Sequence, residues 1–125
     1  MIALYIGLAG ALGSVSRYWL GLLVSNWVGV RTSLPVATLT VNVLGSLAMG
    51  VVVGVFASRG DMDSRLRIAL AIGFLGGFTT YSSFALETVG LLEQRSLQVA
   101  ALYITLTLFA AGFACYAGLL VGRRL

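Results

Sequence analysis

The chain has 125 residues, 59% of them hydrophobic and only 10% charged; a water-soluble domain of this size could not hide that much apolar surface, so the composition defines a polytopic membrane protein. Histidine is absent and there is a single cysteine, which excludes an internal disulfide and removes the usual metal ligand and pH switch; no nucleophile–base pair points to an enzyme. All basic residues are arginine and the net charge is +4, a balance that speaks to topology and contact with lipid headgroups, with no nucleic-acid motif behind it.

Four spans are predicted, from about Ile2 to Val28, Val36 to Ser58, Leu66 to Leu92 and Leu97 to Val121. Each exceeds the roughly 20 residues that cross a hydrocarbon layer. The first is too long for a signal peptide and has no basic leader or small-residue cleavage site, so it is expected to be retained. The connections are short, no internal repeat stands out, and residues 1–125 read as one unit.

Span one carries Gly7, Ala11, Gly10 and Ser14, two pairs of small residues four apart, a spacing that lets another helix approach closely. Arg17 follows near its middle. A guanidinium keeps its charge there and must face water or protein. It either draws anions into an aqueous vestibule or snorkels to the interface beside Tyr18 and Trp19. In span two, Thr38 and Asn42 share a face. A threonine hides its hydroxyl on its own helix, but an asparagine amide does not hide so easily. Its donors suit a bare anion, the carbonyls of a broken helix, or a packing bond to a neighbour. Gly45 and Gly54 read as packing residues.

Span three holds Gly73-Phe74-Leu75-Gly76-Gly77-Phe78-Thr79-Thr80-Tyr81-Ser82-Ser83-Phe84. Adjacent glycines followed by two β-branched threonines predict a fracture at Gly76 and Gly77. Backbone groups freed inside a bilayer need a partner, because lipid offers none. Exposed carbonyls, hydroxyls and the rings of Tyr81 and Phe84 at such a break look like an ion site; a kink for close helix packing is the plainer alternative. Glu87, one turn beyond Ser83, reads as a carboxylate reaching a vestibule or pairing with an arginine. In span four, Tyr103 and Thr107 begin a hydroxyl track that Ala111 and Cys115 do not continue; Thr107 alone would be discounted as bonded back to its own helix.

Three motifs together, Gly10-Ala11-Leu12-Gly13-Ser14-Val15-Ser16-Arg17-Tyr18, Ala37-Thr38-Leu39-Thr40-Val41-Asn42 and the glycine–threonine stretch of span three, resemble the CrcB/Fluc fluoride channels over essentially the whole chain. The third is close to that family's Gly-Phe-x-Gly-Gly-x-Thr-Thr-Phe-Ser-Thr-Phe signature. Tyr81 stands where phenylalanine is usual, Ser83 where threonine is, and Ala111 where a hydroxyl would extend the track. The resemblance implies an all-α membrane protein of four transmembrane helices with a broken third helix, paired as an antiparallel, dual-topology dimer with two fluoride pores. It implies pore positions for Asn42, Tyr81, Phe84, Ser83 and Tyr103, with Thr38 and Thr107 beside them, a vestibule position for Arg17, and a structural sodium ion at the dimer interface held by the carbonyls of Gly76 and Thr79. The partner is then a second copy or a homologous subunit, the setting the lipid bilayer of the inner (plasma) membrane, and the role passive fluoride export that confers resistance.

Arg59, Arg65, Arg67, Arg123 and Arg124 fall on one side of the four spans and Arg31 and Arg95 on the other, so the positive-inside rule puts both termini in the cytoplasm. Two other readings compete. A small four-helix proton-coupled multidrug exporter needs a titrating mid-membrane carboxylate, for which Glu87 is the sole candidate. A scaffold without transport would use the glycines but gives no reason for Asn42 beside Tyr81 and Phe84.

Overall fold

The computed structural model describes residues 1–29, 32–60 and 64–125. Arg31, which enters the charge reading above, lies outside them. The described residues form helices α1 (Ile2–Val28), α2 (Val36–Arg59), α3 (residues 64–78), α4 (Tyr81–Glu93) and α5 (Leu97–Gly122). α3 changes character along its length: Ser64–Ile68 is α-helical, Ala69–Leu75 is π-helical and Gly76–Phe78 closes it. α3 and α4 form a single rod interrupted at Thr79 and Thr80. The predicted spans match these rods to within a few residues at each end.

Three rods, Val36–Arg59, Ser64–Glu93 and Leu97–Gly122, are long and apolar enough to cross a membrane. α1 has 27 residues but carries Arg17, Tyr18 and Trp19 in its middle and is not among them. The outside of the molecule is its apolar side. Leu12, Leu86, Phe109 and Phe113 are all well exposed, whereas among the described residues the buried apolar ones are only Val41, Leu75, Phe84, Leu91, Ala100 and Tyr103. Such an exterior fits hydrocarbon, not water.

Glycine sets how closely the rods approach. α2 and α5 make the most extensive pairing in the molecule. Gly50 lies against the Cys115 carbonyl, Gly54 against that of Leu119, Gly118 against that of Leu47 and Gly122 against that of Val51, each so close that a Cβ would collide with it. Two small-residue pairs four apart thus mesh reciprocally, as membrane helices without a hydrophobic drive toward one another require. The numbers rise together along both helices, so α2 and α5 run parallel. α1 runs parallel to α3 by the same test, with Gly73 against Ile6 and Gly77 against Gly10. The packing readings of Gly45 and Gly54 agree with this. Gly7 has nothing near it, so the useful small face of α1 runs through Gly10 and Gly13 and not through Gly7 and Ala11.

One expectation is corrected. The third rod is not fractured at Gly76 and Gly77. Gly76 has ordinary helical angles, φ −64° and ψ −37°, and the helix continues to the bond from Thr79 N to Leu75 O, 3.0 Å. The chain leaves the helix at Thr79 (ψ 157°) and Thr80 (φ −147°, ψ 109°). The reason lies in packing: a Cβ at Gly77 would stand 2.5 Å from the Gly10 carbonyl and one at Gly73 2.8 Å from Ala9 Cβ. These two glycines admit α1, and the wider π turn accommodates the same crowding.

Candidate functional site

The break is held by one side chain. Asn42 Oδ1 accepts from Thr80 N at 2.8 Å, and Asn42 Nδ2 donates to Thr80 O at 3.1 Å. The backbone N–H can only face the amide oxygen, so the amide's orientation is fixed. Both backbone groups of a buried threonine are satisfied in place of helical bonds, each of which would otherwise cost about 1–3 kcal/mol. The second Nδ2 hydrogen remains free. Thr80 N, turned to Asn42, no longer donates to the Gly76 carbonyl four residues back.

Thr80 also caps α4. Its Oγ1 accepts from Ser83 N at 3.2 Å and donates to Ser83 Oγ at 3.0 Å, the bond an N-cap threonine makes. Ser83 Oγ acts there as acceptor, leaving its own hydrogen available. The same cap aims the first turn of α4. Tyr81 and Phe84 stand 5.7 Å apart between ring centroids at 56°, and Phe84 packs on Tyr103 at 5.2 Å and 57°. Phe84 and Tyr103 are buried, whereas Tyr81 is 78% exposed.

Two grooves meet at Thr80. One, of about 330 Å³, is lined by Asn42, Gly45, Ser46, Met49, Thr79, Thr80, Tyr81, Phe84, Thr107, Leu108, Ala111 and Cys115. The other, of about 510 Å³, holds Arg17 with Ser14, Ser25, Thr38, Thr80, Ser82 and Ser83. The structure therefore brings Asn42, Tyr81, Phe84, Thr107 and Thr79 to one side of the break and Arg17, Thr38 and Ser83 to the other. Gly76 lines neither groove and is exposed.

Tyr103 lines neither groove. Its hydroxyl donates to Glu87 Oε2 at 2.6 Å, and Thr38 Oγ1 donates to Glu87 Oε1 at 2.7 Å. Glu87 thereby joins α2, α4 and α5 and also lines a smaller opening of about 210 Å³ near Ser25 and Pro35. Its partners are thus Thr38 and Tyr103 and not an arginine, while its place at this opening agrees with a carboxylate that reaches a vestibule. Thr38 and Asn42 are four apart on α2 and Ser83 and Glu87 four apart on α4, but only the antiparallel crossing of the two rods brings them together. Thr107 is corrected too. It is buried with no hydrogen-bond partner for Oγ1, whereas Thr40, Thr79 and Thr88 do bond back to carbonyls of their own helices. Thr80, three residues past the glycine pair, was read only as part of the break and not as a site residue, and Ser46, a serine one turn past Asn42, carries no distinctive pattern of its own.

Long apolar rods, an apolar exterior and grooves that meet at one helix break define a multi-pass membrane protein. The chain belongs to the CrcB family: residues 4–119 match the family described as CrcB-like protein, camphor resistance. Among its relatives, a protein of Allorhizobium ampelinum named fluoride-specific ion channel FluC is 41% identical over 98% of this chain and 96% of its own length. A protein of the same name from Rhodospirillum centenum is 41% identical, over 96% and 94%, and one from Flavobacterium psychrophilum 36% identical, over 97% and 96%.

Proposed function

We propose that the chain is one subunit of a fluoride-selective channel of the inner membrane, through which cytoplasmic fluoride leaves passively down its electrochemical gradient. The observation that carries this reading is the clamp of Asn42 on Thr80, which holds a helix open and sets donors around the gap. A small anion losing its water needs hydrogens without a permanent charge that would trap it. The free Asn42 N–H, the Ser83 hydroxyl, the Thr107 hydroxyl and the electropositive ring edges of Phe84 and Tyr81 supply them. Arg17 lines the second groove together with Ser83, on the other side of the break from Asn42 and Phe84, where it concentrates anions. Export of this kind needs no coupling reaction: fluoride enters acid-exposed cells as neutral HF, dissociates inside, and is driven out by the membrane potential. This is transport and not catalysis, and its consequence is fluoride resistance. Against proton-coupled drug export stands Glu87, whose two oxygens are both taken by hydroxyl donors.

The channel has four spans per subunit; the parallel run of α1 beside α3 supports counting α1 among them. Two subunits pair antiparallel, as a homodimer or with a homologous partner. Supporting this, Tyr81 is exposed beside the groove that Asn42 and Phe84 line, a half-site that a second wall would complete. The positive-inside rule orients the end bearing Arg59, Arg65, Arg67, Arg123 and Arg124 toward the cytoplasm in one subunit, and its antiparallel partner is either a copy inserted against that bias or an oppositely oriented homologue. A structural sodium ion sits between the subunits on the Gly76 and Thr79 carbonyls. The fit rests on Gly76 being exposed with its helical donor diverted to Asn42, and on the preference of hard cations for oxygen. Its charge would offset carbonyl dipoles that lipid cannot.

The test is efflux. Liposomes carrying the purified protein and loaded with potassium fluoride and chloride are expected to release fluoride on addition of a potassium ionophore and to keep chloride. Release that depends on an imposed pH gradient instead of the ionophore would favour the exporter.

A further inference from the structure

Most hydroxyls of the groove on the Asn42 side have their protons engaged or covered. Thr79 Oγ1 donates to Leu75 O at 3.0 Å, and Thr80 Oγ1 donates to Ser83 Oγ at 3.0 Å. Thr107 Oγ1 is buried. Ser46 differs. It lines the groove half-buried, and its Oγ has no hydrogen-bond partner among the described residues. A hydroxyl inside a helix commonly donates back to a carbonyl of its own turn, as Thr40 on the same helix does to Val36 at 2.8 Å. Ser46 does not, and its proton is left for the groove.

The α2–α5 seam sets its height. A Cβ on Gly54 would stand 2.9 Å from Gly122 Cα, so these two glycines are neighbours. The same step along both helices puts Ser46 level with Ala114. The groove-lining residues of α5 on either side of that height are Ala111 and Cys115, a methyl and a weak S–H donor. Met49, the next lining residue of α2, donates nothing. Ser46 stands four residues, about 6 Å, past Asn42 toward the end of α2 that bears Arg59. Donors one turn apart can both reach a small anion lying between them, at about 2.7–3 Å each. We infer that Ser46 is a further pore residue, whose hydroxyl shares fluoride with the Asn42 amide and carries it one step toward the arginine-bearing end. The inference rests on the reading of this groove as the anion path. The competing role is packing, since Ser46 lies four residues before Gly50 and would extend the seam of small residues.

Alanine separates the two roles, because it keeps the site small and removes only the hydroxyl. Fluoride efflux from liposomes is compared at equal amounts of folded protein, with unfolding in mild detergent measured alongside. Ser46→Ala is expected to slow fluoride about tenfold, the scale of one hydrogen bond to a charged group, at unchanged stability. Ser46→Cys keeps the shape with a weaker donor and should conduct between the two. Ala111 lines the opposite wall about 4.5 Å short of the Ser46 level, so adding Ala111→Ser to Ser46→Ala returns a hydroxyl beside Asn42 and should restore most of the lost flux. Equal flux through wild type and Ser46→Ala, or through wild type and Ser46→Cys, would overturn the inference. A double variant as slow as Ser46→Ala would overturn it as well and assign Ser46 to the frame. Absence of fluoride efflux from the wild type would contradict the proposed function and this inference with it.

Discussion

The seam between α2 and α5 and the break at Thr79 and Thr80 solve opposite problems. At the seam the helices keep all their own hydrogen bonds, and contact comes from what is missing: four glycines without Cβ atoms bring backbone against backbone. At the break the backbone gives up its helical bonds, and contact comes from what is added, one amide that replaces them. The seam is closely packed, backbone against backbone, with no room for a Cβ. The break is chemically open, since satisfying Thr80 still leaves hydrogens on Asn42 and Ser83 for something else. A transport path needs both: a frame that does not move and a gap whose donors are fixed in place.

Substitutions should separate the two. Asn42→Ala is expected to do the most damage, stranding two buried backbone groups at about 1–3 kcal/mol each and abolishing fluoride flux; unfolding in mild detergent reads the first and efflux the second. Gly118→Val should destabilise the fold by about 1–3 kcal/mol through overpacking against Leu47, while any protein that still folds conducts normally. Tyr103→Phe keeps the ring against Phe84 and removes one donor from Glu87; a loss of roughly 1.5 kcal/mol is expected. Thr107→Val should leave stability level or raise it by about 1 kcal/mol, since it removes a hydroxyl without a partner, yet slow fluoride. A Thr107→Val chain that loses stability would assign that hydroxyl to the frame.

The frame was largely legible in the sequence. Hydrophobic run lengths gave the rods, and Gly45 and Gly54 read as packing positions, as the structure has them. The break was legible as an event but misplaced by a few residues. Paired glycines weaken a helix, but they also let another helix in, and a single sequence does not tell which use prevails; here α1 occupies the space against Gly73 and Gly77. The partners of Asn42 and Glu87 were less accessible. They lie 38 and 49 residues away along the chain, so they depend on how α2 and α4 cross, which no local pattern encodes. Thr107 shows the same limit in reverse: local rules send its hydroxyl to its own helix, and tertiary packing leaves it without a bond.

The central claim is that the Asn42 amide both holds the helix open and lines the path for fluoride. It is tested most directly by comparing wild type with Asn42→Asp in the same liposome efflux assay, at equal amounts of folded protein. The carboxylate still accepts from Thr80 N but donates nothing and adds a negative charge. Fluoride efflux with retained chloride in the wild type, and none in the variant, is the predicted result. Equal fluoride flux through both would contradict it.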